Sequence, residues 1–432
     1  MSENVRPTSP TSGDSSSVST QQPSSTLTSD LPPRFPGFNG LRAIAALSVV
    51  GVHATFVSGW ASRNHFGIYT ARLEIGVMVF FLISGFLLYR PFAQAHLAGV
   101  ARPATGAFWV RRLLRILPAY WAALFILTTL TNIAPMGPGG WWAYVNHYLF
   151  LQIYFPNQRL FGITQAWSLC VEMTFYLFLP LYAMAIAWRR DRRTPLASLV
   201  IELGGLASIS LISFAWRFYA IGHQTGSDAN SLPLESFLPA YFDIFALGMG
   251  LAVISAWTHQ HRWEPLWLRT RWFPWLSWCL ALACFWSVSH LGIPTTPIYD
   301  HTYRDIVRQS LYGFFGLFLL LPAVFGPQDQ GLIRRFLRCW PVASIGVVSY
   351  GIYLWHQAVI NEIVNIGHFK LFEIPFLPFF FGTVLASTAI ATASYFILEK
   401  PALKLKRSFA WWKGRNVIAS LEATTNPNDP SA

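Results

Sequence analysis

Phe38-Asn-Gly-Leu-Arg-Ala-Ile-Ala-Ala-Leu-Ser-Val-Val-Gly-Val-His-Ala54 reads as the body of a membrane-spanning helix that carries two ionisable side chains, Arg42 and His53. On an α-helix, eleven steps of about 100° leave two side chains about 20° apart in azimuth and roughly 16 Å apart along the axis. One face therefore shows a guanidinium near one end and an imidazole deep inside. An ionisable group within a bilayer is costly, which makes the pair a candidate for function. The plainer alternative is an arginine snorkelling to the interface and a histidine bonded to a neighbouring helix.

The rest of the chain supports the membrane reading. Its 432 residues are 53% hydrophobic and only 12% charged, where soluble domains carry about 25% charged residues, and its mean hydropathy is +0.39. The 19 Trp and 16 Tyr suit interfacial anchoring and packing between helices. A net charge of +12 would fit nucleic acid, but the basic residues fall in short clusters between apolar spans, and nucleic acid is discounted. Cys170, Cys279, Cys284 and Cys339 show neither metal-site spacing nor a disulfide framework. The excess of Arg over Lys, with abundant Ala and Trp, leans toward a bacterial source.

Residues 1–33 are rich in Ser, Thr and Pro and predict a disordered cytoplasmic tail. They lack the pattern of a cleavable signal, so the first span is expected to direct insertion. Apolar segments follow at 38–60, 74–91, 115–133, 166–188, 196–220, 236–256, 272–291, 306–325, 342–364 and 375–399. The expectation is an all-α membrane protein of about ten transmembrane helices, occupying 34–405, with 406–432 a basic and then polar cytoplasmic tail. The aromatic stretch Trp141 to Phe155 reads as interfacial or re-entrant. With the N-terminus inside, 24 Lys and Arg fall on the cytoplasmic side and seven outside, as the positive-inside rule requires. Arg42 then lies near the cytoplasmic face and His53 toward the outer half.

Further candidates stand in the other spans. Ser84-Gly85 permits close helix approach, and Glu74 stands at the outer mouth of the same span. Arg112 and Arg115 share a face at the expected cytoplasmic start of the third span, where two fork-shaped guanidiniums suit phosphate; simple topology is the alternative. Glu172, with Tyr176 one turn on, is a carboxylate in an apolar helix that needs a partner. His356 is a second intramembrane histidine, for which packing is the plainer explanation.

Together these strings resemble the membrane-bound acyltransferase-3 family of integral O-acyltransferases. The resemblance rests on Arg42 with ten residues before His53, Phe80-Phe81 followed by Ser84-Gly85, Arg112-x-x-Arg115, Trp167-Ser-Leu with Glu172, Ser349-Tyr-Gly-Ile-Tyr-Leu-x-His356, and Glu399-Lys-Pro. It covers about residues 35–405. Where the family commonly has Asp, this chain has Asn39. Some members carry a C-terminal SGNH-type domain, and this chain is expected to be the stand-alone form.

The resemblance implies transfer of an acyl group, acetyl above all, from cytoplasmic acyl-CoA to a hydroxyl of a glycan, glycolipid or similar acceptor, with no metal. Arg42, Arg112, Arg115 and Ser84 would hold the donor; Glu74, His356 and Asn39 would contact the acceptor. His53 would be the general base, a transient acyl-imidazole being the alternative, with Glu172, ahead of Glu74, orienting it. Homo-oligomerisation in the plasma membrane is compatible with this. The competing readings are a proton-coupled transporter of a lipid or sugar that uses His53 and Glu172 as a relay, and a membrane scaffold without activity.

Overall fold

The computed structural model describes residues 35–99, 102–188, 193–223, 233–295 and 302–404. The expected tails at 1–33 and 406–432, and with them the side of each terminus, lie outside the described residues. Among the described residues there are helices and turns and no strand. The α-helices of seven residues or more are α1 (Phe38–Val57), α2 (Ile75–Ala98), α3 (Thr105–Phe125), α4 (Trp141–Tyr148), α5 (Trp167–Ile186), α6 (Pro195–His223) and α7 (Phe242–Gln260), then α8 (Phe273–Ser289), α9 (Tyr303–Val324), α10 (Leu332–Arg338), α11 (Trp340–Val347), α12 (Ser349–Ile366) and α13 (Phe376–Ser394). Single π turns extend α3 over Ile126–Leu130 and α13 over Tyr395–Glu399.

Helices stand at all ten expected positions. Eight of the helical segments are long and apolar enough to cross a membrane. The seventh, α8, has 17 residues, and the ninth, α12, carries His356, Gln357, Asn361 and Glu362 along its length. The protein is a multi-pass membrane protein.

The expectation and the structure differ at two places. The third helix starts at Thr105, about two turns before Arg112, so its arginines stand within the helix rather than at its start. Their long stems let an apolar helix carry charged heads at such positions. The ninth segment is broken at Val348 into α11 and α12, with Pro341 at the start of α11. The aromatic stretch after α3 forms the short α4 and a turn at Gln152–Tyr154. It is tied to α3 by Tyr120 donating to the His147 carbonyl at 2.9 Å.

Within a bilayer, lipid tails are as apolar as leucine, so small residues that let backbones approach decide the packing. The most extensive interface joins α2 and α7, and glycine makes it from both sides. A Cβ on Gly85 would lie 2.5 Å from the Phe245 carbonyl oxygen, and one on Gly248 would lie 2.3 Å from that of Leu82. Ser84-Gly85 therefore has a packing role, and the fixed α2 backbone aims Ser84 at α5. A comparable approach seats α11 against the start of α1, where a Cβ on Gly346 would overlap the Asn39 carbonyl.

Candidate active site

α1 presents Arg42 and His53 to two different hollows. The first is a narrow cleft, about 90 Å³, between α1, α2, α3, α5 and α12; Arg42, Ser84, Arg112, Arg115 and Glu172 line it. The second is a cavity of about 450 Å³ lined by His53, Glu74, Arg72, Arg308, Trp167 and Gln357, among others. Val77 and Tyr353 belong to the walls of both. Tyr353 is fixed there by its hydroxyl, which donates to the Gln165 carbonyl at 2.7 Å and meets Ser168 Oγ at 2.6 Å.

In the cleft, positive charge exceeds negative. Glu172 Oε1 accepts from Ser84 Oγ at 2.5 Å and from the Tyr176 hydroxyl at 2.6 Å. Arg42 makes a single long contact, 3.5 Å, to Asn39 Oδ1 one turn earlier. Arg112 and Arg115 make no ion pair or hydrogen bond among the described residues, and Nε of Arg112 is buried without a partner. Three guanidiniums around one already engaged carboxylate leave donors for an anionic ligand; arginine's planar fork binds phosphate oxygens two at a time. Arg334, by contrast, donates to the carbonyls of Pro322 and Phe325 at 3.0 and 2.8 Å and caps the end of α9.

His53 lines the cavity, and a second histidine stands behind it. His356 has no exposed surface, and its Nδ1 lies 2.8 Å from the Tyr353 carbonyl and 3.2 Å from that of Ile352. Carbonyls only accept, so Nδ1 carries the hydrogen, and Nε2 of the neutral ring is an acceptor. That Nε2 lies 3.2 Å from His53 Nδ1, which is also 2.9 Å from the Val49 carbonyl. Both neighbours of His53 Nδ1 are therefore acceptors, and this nitrogen holds the hydrogen. His53 Nε2 is left with its lone pair and with no hydrogen-bond partner among the described residues. A ring fixed in this tautomer is prepared to take a proton.

The expected pairing of His53 with Glu172 does not form. Glu172 lines the arginine cleft, on the far side of the Val77–Tyr353 partition, and its bonds go to Ser84 and Tyr176. His356 takes the orienting place and stands behind His53 rather than on the cavity wall. Asn39 accompanies Arg42 and not the cavity. Glu74 shares the cavity with His53, accepts from the Tyr312 hydroxyl at 2.9 Å and lies 3.6 Å from Arg308.

Sequence reasoning quoted Tyr353 within a motif but gave it no role, and gave none to Gln165, Arg72 and Arg308. Arg72 and Arg308 looked like two of the outer-loop charges, and Gln165 precedes the apolar helix that drew attention. A buried glutamine beside Trp167 was the available signal: Gln165 is 4% exposed and donates to the carbonyls of Tyr353 and Leu354.

A family profile described as an acyltransferase domain, that of acyltransferase-3, matches residues 35–396. The chain belongs to this family. It is 26% identical over 413 residues to the peptidoglycan O-acetyltransferase candidate YrhL of Bacillus subtilis (strain 168), covering 85% of this chain and 54% of that protein. It is 29% identical over 352 residues to the acyltransferase MdmB of Streptomyces mycarofaciens, covering 77% of this chain and 81% of that one. With the O-acetyltransferase OatA of Staphylococcus aureus (strain NCTC 8325 / PS 47) it shares 26% identity over 397 residues, 86% of this chain and 58% of that protein. The chain thus spans little more than half the length of YrhL and of OatA. No solved structure matches it. These relatives are bacterial, and the apolar helices mark a multi-pass protein of the plasma membrane.

Proposed function

We propose that this protein is an integral membrane O-acyltransferase that moves an acyl group, acetyl in first place, from acyl-CoA to a hydroxyl of a glycan or glycolipid. The observation that carries this reading is the His53–His356 contact at 3.2 Å, which leaves His53 Nε2 as an unengaged base on a 450 Å³ cavity. Family membership and the names of the relatives support the reaction class. The unpaired arginines of the cleft support the donor.

In this reading Arg42, Arg112 and Arg115 grip the CoA phosphates, and the pantetheine arm runs along α1 past Val77 and Tyr353. The separation of roughly 16 Å between Arg42 and His53 suits an extended arm. The acceptor hydroxyl lies in the cavity. As its oxygen attacks the thioester carbonyl, its proton passes to His53 Nε2. Collapse of the tetrahedral adduct breaks the C–S bond, and the departing sulfur takes that proton, so that an ester and free CoA thiol result. His356 keeps the tautomer. Glu74 supplies the nearby negative charge that favours the transient imidazolium. Glu172 fixes Tyr176 and partly offsets the arginines. The transporter reading needs His53 and Glu172 in one relay, whereas they line separate hollows.

Purified protein in nanodiscs, given acetyl-CoA and bacterial envelope glycans, is expected to release CoA thiol in proportion to ester formed. Acceptor-independent silence, with no thiol released under any of these conditions, would return the chain to the transporter or scaffold readings.

A further inference from the structure

The cavity at His53 has an annex. A second hollow of about 300 Å³ adjoins it and shares Leu160, Thr164, Gln165 and Gln357 with its wall. Each hollow by itself is of the size that binds a small ligand, about 300–1,000 Å³. Their linings differ in kind. The main cavity carries Arg72, Arg308 and Glu74, while no charged side chain lines the annex. Its walls are apolar, aliphatic from Leu127, Ile133 and Pro135 among others and aromatic at Phe161, and its polar groups are uncharged amides and a hydroxyl: Gln165, Gln357, Asn361 and Thr164.

Gln357, on the boundary of the two hollows, has a buried Oε1 with no hydrogen-bond partner among the described residues. A buried amide oxygen left unpaired costs about 1–3 kcal/mol, and a turn of the carboxamide toward the hollow would let a ligand donor remove that cost. Carboxamides offer a donor and an acceptor side by side, which matches vicinal hydroxyls. The aliphatic walls match the C–H faces of a sugar ring. A phosphate or carboxylate finds no cation here, and a bare hydrocarbon chain would leave the amides unsatisfied.

We infer that the annex is a second sugar subsite, so that the acceptor has at least two rings: one is esterified beside His53 and its neighbour is held by Gln357 and Asn361. This rests on the acyl-transfer reading above and adds the length of the acceptor to it.

The test compares matched methyl glycosides of one and two rings, in the gluco, N-acetylglucosamine and manno series, with acetyl-CoA as donor and both thiol release and ester formation measured. The wild-type ratio of kcat/KM, two rings over one, is expected to be at least about fivefold in the best series, the factor a single net hydrogen bond gives. Asn361→Ala, which removes an amide, and Ala358→Leu, which narrows the annex, should each lower that ratio at least about fivefold, a loss of roughly one such bond. A wild-type ratio near one, a ratio unmoved in both variants, or esterification of aliphatic alcohols but of no saccharide overturns the subsite. Absence of thiol release with every acceptor is a different failure: it sinks the acyl-transfer reading itself.

Discussion

At the Arg42 end of α1, three guanidiniums face one carboxylate whose Oε1 is already engaged by Ser84 and Tyr176. At the His53 end the cations are more engaged: Arg308 lies 2.9 Å from Asp305 and 3.6 Å from Glu74, and Arg72 donates through one nitrogen to the carbonyls of Ile293 and Pro294 at 2.6 and 2.7 Å while its Nε is buried without a partner. The contrast separates two kinds of ligand. A cleft whose arginines outnumber its carboxylates and make few hydrogen bonds suits an anion, whereas a wall whose cations are mostly engaged, around an imidazole, suits a polar, uncharged molecule. In the proposed reading, one helix serves both halves of the transfer reaction, with Val77 and Tyr353 between them.

The comparison breaks most visibly at His53. His53→Ala should lower kcat about 10² to 10⁴-fold, the usual cost of losing a general base, while the protein still inserts and accumulates. Next comes the tautomer. His356→Ala frees His53 Nδ1 from one of its two acceptors and should lower kcat by about tenfold to a hundredfold, as losing an outer partner that fixes a histidine does elsewhere. The donor KM should stay put. The smallest effect is expected in the cleft: Arg112→Lys and Arg115→Lys keep charge and topology but lose the planar fork, and each should raise the acyl-CoA KM about tenfold with little change in kcat. A shift in acceptor KM instead would show that the two hollows are not divided as described.

The α1 face was legible because it depends on helical period alone. Eleven residues bring Arg42 and His53 to one side whatever surrounds them, and the apolar segments announced nearly every helix. The partner of His53 was not legible. His356 is 303 residues away in sequence, and Glu172 offered the more familiar chemistry, a carboxylate for an imidazole. The decisive fact is a placement: Ser84 on α2, fixed by the Gly85–Gly248 approach, reaches Glu172 first. Polar cavity residues such as Gln165 and Gln357 were hidden for a related reason. Uncharged amides carry no strong signal in a composition or a charge count, and only their burial marks them.

The most direct measurement of the division is equilibrium binding of CoA to purified wild type, His53→Ala and the double variant Arg112→Ala/Arg115→Ala. The account predicts that His53→Ala binds CoA with wild-type affinity although its turnover of acetyl-CoA falls about 10²- to 10⁴-fold, and that the double arginine variant loses at least about a hundredfold in affinity, the worth of two charge-assisted contacts. Equal binding by all three proteins, or a loss in His53→Ala as large as in the arginine variant, would contradict it.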